Sequence, residues 1–299
     1  MEKERIMYEK IYCAHNTYRY HFDELDSTQL YCKRNMKKFI DDIKKKNFDN
    51  MIAVSCNLQT NGIGTKDTKK NINRLWVSER GNLFISFVFL WEKNKIEILK
   101  CLSQVSTVAI SKSLEHYNLK CQIKWINDVL INYKKIAGCL INIYYLNNET
   151  KQMCCQNSCS IKNDYICVIA GIGINIDLID QNNLLNNNFT SIKNEINTNS
   201  MDTNIIVPSV EDTTEKLIEN FYDVINNFKN GGFSLFLDYI TLRLLYKSKK
   251  VIINQDNNKV IGYLKGMEDD GTLILMDDNN RIIHVNNGHM YLYDQIGNT

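Results

Sequence analysis

The chain has 299 residues, of which 44% are hydrophobic and 23% charged, enough for one large domain with a small one beside it. A formal net charge of +2 gives no bulk attraction to nucleic acid or to an anionic membrane, and no apolar run is long enough to span a bilayer. The 10 cysteines are scattered through a chain too long for a disulfide scaffold, so reduced thiols in a cytosol-like compartment are expected.

Residues 1–7 have no signal-peptide core and carry acids that transit peptides avoid. Residues 18–25 predict a first strand, which ends at Asp26-Ser27-Thr28. These three are good helix-cap residues, and hydroxyls at a helix start can also bind a polar ligand beside exposed N–H donors. The helix that follows is expected to run to about residue 46, with Met36, Ile40 and Ile43 at helical spacing. Residues 51–58 predict a strand. Gln59 then leads into Gly62-Ile63-Gly64, where two glycines let the backbone approach a ligand closely and present N–H groups to an anion. Alone, that pair is a weak signal and more often a plain turn. Lys66, Lys69, Lys70 and Arg74 precede Trp76. Residues 82–90 form a strongly apolar strand, and Ile96, Leu99, Leu102, Val105, Val108 and Ala109 mark a long buried helix.

Residues 124–138 read as a β-hairpin turning at Asn132-Tyr133-Lys134. Alternation along its strands can aim Asp128 and Lys135 into one cleft while Trp125, Val129, Leu130 and Ile136 pack behind them. Residues 136–145 continue as a strand. Residues 147–164 are polar and hold Cys154, Cys155 and Cys159 without a nearby histidine, which favours a hairpin insertion over a zinc site. Residues 165–169 predict a strand running into Gly171-Ile172-Gly173-Ile174-Asn175. A dinucleotide fingerprint needs a third glycine and an immediate helix; a long Asn-rich loop follows instead. Residues 201–210 carry no signal and fit disorder. Residues 212–228 form an amphipathic helix with Leu217, Phe221, Val224 and Phe228 on one stripe, and residues 233–246 a second helical segment. From residue 249 on, five short strands alternate with Asp- and Asn-rich turns, the pattern of a small β-barrel.

Four of these stretches, in this order, resemble the biotin–protein ligases. They are Asp26-Ser27-Thr28; Gln59…Gly62-Ile63-Gly64…Trp76…Ser78…Gly81-Asn82-Leu83…Ser86; Lys124-Trp125-Ile126-Asn127-Asp128…Lys135-Ile136-Ala137-Gly138; and Gly171-Ile172-Gly173-Ile174-Asn175. Thr190-Ser191-Ile192 resembles a further family element. The chain departs from the family where Ile126 replaces a proline and where Ile63 and Thr65 replace arginines that hold the biotin carboxylate and the adenylate phosphate.

The resemblance covers residues 18–292. It implies an α+β fold: a mixed β-sheet with packed helices of the biotin/lipoate ligase type, class II aminoacyl-tRNA synthetase-like, followed by an SH3-like β-barrel. The catalytic domain would span residues 1–247, with insertions near 147–164 and 177–210, and the barrel residues 248–299. No helix-turn-helix is expected before the first strand. The implied activity is ATP-dependent attachment of biotin, through biotinyl-5′-AMP, to a lysine of a biotin carboxyl carrier domain. By that resemblance Lys135 and Asp128 are catalytic. Ser27, Thr28, Gln59, Gly62, Lys135 and Gly138 bind biotin. Gly64, Arg74, Trp76, Lys124, Asn127 and Asn175 bind the nucleotide, with Arg74 standing in for a missing arginine. Mg²⁺ is held mainly by ATP, with no protein metal site. A cytoplasmic location is expected, or the organelle holding the carboxylase. No nucleic-acid or membrane partner is expected, and a homodimer stays open. A lipoate or octanoyl ligase of the same fold and a catalytically impaired biotin-binding homologue are the alternatives.

Overall fold

The computed structural model describes residues 6–12, 15–46, 50–67, 72–146, 164–178, 188–199, 207–255 and 258–296. The chain opens with a hairpin of β1 (Ile6–Tyr12) and β2 (Thr17–Leu25), one strand earlier than expected. β1 lacks a clean apolar alternation because it is an edge strand whose Met7 and Ile11 face solvent. Two helices, α1 (Thr28–Arg34) and α2 (Met36–Lys46), stand where one was expected; Asn35 between them leaves the helical region, with φ −100° and ψ 11°.

β3 (Met51–Gln59) pairs in parallel with β2. Beyond it, β4 (Ile63–Asp67) and β5 (Ile72–Leu75) form a separate two-stranded sheet where a loop was expected. β6 (Leu83–Glu92) is buried along its length except at Glu92. The long helix expected from residue 96 is a 3₁₀ segment over Lys93–Cys101 and becomes α-helical only in α3 (Leu102–Glu115). β7 (Gln122–Lys124), β8 (Asp128–Ile131) and β9 (Lys134–Tyr145) then form an antiparallel meander. The turn between β8 and β9 has Asn132 and Tyr133 at φ 49° and 64°. Left-handed conformations at both central residues match the twist of a two-residue hairpin.

β10 (Tyr165–Ile174) carries the Gly-x-Gly inside a strand, not in a loop after it. α4 (Ile192–Asn199) lies within the stretch expected to be an Asn-rich loop. Residues 147–163, 179–187 and 200–206, which hold most of the two expected insertions, lie outside the described residues. α5 (Val210–Gly231) starts with a capping box in which Ser209 and Asp212 satisfy each other's backbone N–H, and α6 (Ser234–Arg243) follows.

The eight-stranded sheet runs β1-β2-β3-β6-β10-β9-β8-β7, so the two most apolar strands are central. Near-continuous apolar strands need cover on both faces. α1 and α2 cover one face, burying Phe22, Phe39, Ile43, Val54 and Val88. α3 and α5 cover the other, where the Phe221 ring stacks on Phe87 with centroids 4.1 Å apart. The buried guanidinium of Arg19 ties the first hairpin to α5, bonded to Ser55 Oγ at 2.8 Å and Glu211 Oε2 at 2.7 Å.

The C-terminal strands β11 (Lys250–Asn254), β12 (Lys259–Met267), β13 (Leu273–Met276), β14 (Ile282–Val285) and β15 (His289–Leu292) form a second, antiparallel sheet ordered β14-β13-β12-β11-β15, consistent with the SH3-like barrel expected. A short helix, α7 (Tyr293–Ile296), ends the described chain. Leu264, Leu273 and Leu275 share one apolar core with Leu102 and Val105 of α3. A polar contact fixes the junction: the Gly271 carbonyl accepts from Gln104 Nε2 at 2.8 Å and from the indole of Trp125 at 3.2 Å. Trp125 stands just before Asn127 and Asp128, so the second sheet braces the turn that carries them.

Gly271 has φ +81°, and a Cβ there would meet Gln104 Oε1 at 2.3 Å. Gly271→Ala should therefore destabilise the protein by about 1–3 kcal/mol in urea unfolding, from left-handed strain plus overpacking. Gly266, on β12, has nothing within 4 Å of a built Cβ. Gly266→Ala should cost less than about 1 kcal/mol in the same titration. Equal losses for the two would contradict the assigned junction.

Candidate functional site

The end of β3, the start of α1 and parts of β4, β6, β8, β9 and β10 surround one cavity. Its charged end is built by the β8–β9 hairpin. Asp128 begins β8 opposite Gly138, and Lys135 stands near the start of β9. Lys135 Nζ lies 2.6 Å from Asp128 Oδ1, with both side chains about three-quarters covered. The ammonium also sits 5.0 Å from the centre of the Trp76 ring. A cation held by a carboxylate and over an indole face is fixed in place yet keeps N–H donors for an anion. Lys135 is the one lysine or arginine on the cavity wall among the described residues.

The backbone around Lys135 is held by the segment that returns from residue 188. Lys135 N–H donates to Asn188 C=O and Thr190 N–H donates to Lys135 C=O, each at 2.9 Å. Asn175 secures that segment: its Nδ2 donates to Thr190 C=O at 3.0 Å and its N–H to Ile136 C=O at 2.8 Å. Asn127 clasps β9 in the same way, with Nδ2 donating to Cys139 C=O at 2.8 Å. Cys139 also lines the cavity, but burial, helped by the negative Asp128, pushes its thiol up to about 12. It stays protonated and is no nucleophile at neutral pH.

Trp76 forms the middle of the wall. A Cβ at Gly173 would lie 2.6 Å from its ring, so the indole rests on bare backbone of β10. Its Nε1 is buried without a hydrogen-bond partner. The far end is polar. Thr28 N–H donates to Gln59 Oε1 at 2.9 Å, Gln59 Nε2 donates to Ser78 Oγ at 2.8 Å, and Thr28 Oγ1 lies 2.8 Å from Ser86 Oγ.

Of the residues singled out from sequence, Ser27, Thr28, Gln59, Gly64, Trp76, Asn127, Asp128, Lys135, Gly138 and Asn175 all reach this one wall. Ile63 and Thr65, the positions that lack the family's arginines, line it too. Two others do not. Gly62 lies behind it, where a Cβ would meet Ser78 Oγ and Trp76 O at 2.3 Å. Lys124 instead points over the Tyr291 ring of β15, 5.2 Å from its centre. The side chains of Lys66 and Arg74, and all of Lys69 and Lys70, lie outside the described residues, as do Cys154, Cys155 and Cys159. Sequence reasoning passed over Gln29, Phe189 and His289, which also line the cavity, and did not put Ser86 on it. Ser86 had a signal: it is the one polar residue before Glu92 in an otherwise apolar strand. Phe189 and His289 had none, since they arrive from distant segments.

Residues 30–158 match the model of the biotin/lipoate A/B protein ligase family. Solved structures agree on the fold. A biotin protein ligase from Aquifex aeolicus, in complex with biotin and ATP, superposes with a TM-score of 0.65 at 23% identity, covering 92% of this chain and 97% of that one. The biotin protein ligase from Leishmania major, in complex with biotinyl-5-AMP, gives 0.53 at 19% identity over 89% and 98%. The biotin acetyl coenzyme A carboxylase synthetase from Helicobacter pylori, with bound biotinylated ATP, gives 0.53 at 17% over the same shares.

Gly173→Ala should displace the Trp76 indole, because the added carbon overlaps its ring. The near-UV circular dichroism should change while the far-UV spectrum stays native. An unchanged near-UV spectrum would contradict the packing described.

Proposed function

We propose that this protein is a biotin–protein ligase with two domains, residues 1–247 and 248–299, that activates biotin with ATP and transfers it to a lysine of a biotin carboxyl carrier domain. The observation that carries the reading is the Lys135 ammonium, fixed between Asp128 and Trp76, in a cavity whose other end is lined by hydroxyl and amide groups. Such a cavity suits a substrate with a polar head at one end and a carboxylate at the other.

In the first step a biotin carboxylate oxygen attacks the α-phosphorus of ATP and pyrophosphate leaves. Two anions repel, and Lys135 is the fixed positive charge that lowers that barrier. Trp76 offers an indole face for the adenine ring. In the second step the neutral amine of the carrier lysine attacks the acyl carbon of biotinyl-5′-AMP and AMP leaves. Asp128, bonded to Lys135 on the cavity wall, would orient that ammonium or help take the proton that the amine sheds. Among the described residues no group of three His, Cys, Asp or Glu side chains is arranged to hold a metal. Mg²⁺ would ride on the phosphate oxygens, where it would offset the triphosphate charge.

Labelling of a carrier domain with biotin and lipoate, side by side, tests the reading; biotin should be incorporated and lipoate not. Lys135→Ala should abolish labelling and Asp128→Asn should reduce it at least about tenfold, each with the melting temperature little changed, since these groups act on charge and not on packing. Normal labelling by Lys135→Ala would assign the chemistry elsewhere.

Ile63 and Thr65 give the wall no cation where the family's arginines hold the intermediate. A lost charge-assisted hydrogen bond is typically worth about 1.5–3 kcal/mol, so biotinyl-5′-AMP should escape roughly tenfold or more faster than from a ligase with both arginines. Thr65→Arg should slow that release and suppress stray labelling of a bystander protein. Slow release by the unaltered protein, lost in Arg74→Ala, would hand the role to Arg74.

A further inference from the structure

The polar end of the cavity has a fixed hydrogen-bond direction, and its source is Gln29. The Gln29 carboxamide is buried, and its Nε2 faces the backbone carbonyls of Ile169 at 3.1 Å and Leu140 at 3.4 Å, besides Asn142 Oδ1 at 2.7 Å. Carbonyls only accept, so that end of the amide must be the nitrogen. Its Oε1 then faces Ser86 Oγ at 3.0 Å. Gly171 makes the arrangement fit, since a Cβ there would come within 2.5 Å of Oε1.

Ser86 has one proton, and Gln29 Oε1 takes it. Ser86 Oγ, fully buried, is left as an acceptor toward Thr28 Oγ1 at 2.8 Å. The competing acceptor for Thr28, Gln59 Oε1, is farther away at 3.3 Å and already receives the Thr28 N–H. The Thr28 proton is therefore spent inward, and its lone pairs are what the hydroxyl turns to the cavity. Gln59 is locked as well. Its Nε2 donates to Ser78 Oγ, whose own proton goes to Trp76 C=O at 2.8 Å, so among the described residues one Nε2–H is left for a ligand.

We infer that Gln29, acting through Ser86, is a positioning residue that makes Thr28 an acceptor toward the substrate head. Together with the Gln59 donor this selects a head in which an N–H stands beside a carbonyl, as in a cyclic urea, over a dithiolane, which offers neither. This rests on the biotin reading and extends it to the origin of selectivity within a family domain shared with lipoate enzymes. A site built to pair with a polar group rejects an analogue that lacks it, because its own buried groups are then left unpaired.

The test measures KM and kcat for biotin in adenylate formation, and binding of biotin and lipoate by calorimetry. Ser86→Ala and Gln29→Met should each raise the KM for biotin about fivefold to tenfold, the loss of one neutral hydrogen bond, with kcat nearly unchanged. The double variant should be no worse than either single one, because both break the same chain. Ser86→Thr, which keeps the hydroxyl, should restore the KM, and lipoate binding should not respond to any of the four. Additive effects, an unchanged KM, or equal losses for biotin and lipoate would overturn the inference. Failure of the unaltered protein to bind biotin would instead overturn the biotin reading itself, and with it the basis for selection.

Discussion

The contact between Asp128 and Lys135 is the constraint around which the site is built. Each residue belongs to a different strand of a tight hairpin, and a turn with two left-handed residues sets how the strands meet. A β-strand has a period of two, so a slip of one residue would turn Lys135 away from both Asp128 and Trp76. Several independent features oppose such a slip: Asn127 clasped to β9, the returning segment bonded to the backbone of Lys135, and Trp125 anchored to the second sheet. A partly buried ion pair contributes little net stability by itself, because desolvation offsets attraction. Here the fold supports the pair, and the pair in turn presents one oriented cation to the cavity.

The second sheet is part of this support. Its Gly271 carbonyl meets α3 and the β7–β8 turn together, and His289 at the start of β15 reaches the cavity wall. The apolar core continues across the junction without a break. A change in the C-terminal strands can therefore reach Asp128 through Trp125, over a chain of direct contacts.

Much of this was legible in the sequence where a residue's type and its neighbours fix its place. The apolar run around Val88 read as a strand, and the spacing of Leu217, Phe221, Val224 and Phe228 read as one stripe of an amphipathic helix. Hairpin alternation allowed Asp128 and Lys135 to face one cleft, and the resemblance named them together. What escaped was set by tertiary contacts. β1 is an edge strand with no apolar signature. Gly171 and Gly173 looked like a loop, yet they are strand positions kept bare so that Gln29 and Trp76 can lie against them. Lys124, which the resemblance makes a nucleotide ligand, has its ammonium 5.2 Å from the centre of the Tyr291 ring on the second sheet. His289 comes from more than 150 residues beyond Lys135 in the chain, too far for any local pattern to reveal it.

In the proposed reaction Lys135 is the charge that lets a carboxylate attack a nucleotide. The most direct measurement of that step is the exchange of labelled pyrophosphate into ATP, with and without biotin, by the unaltered protein. Exchange should depend on biotin and saturate with it, since adenylate formation is reversible. Absence of exchange in a folded protein, or exchange indifferent to biotin, would contradict that reaction.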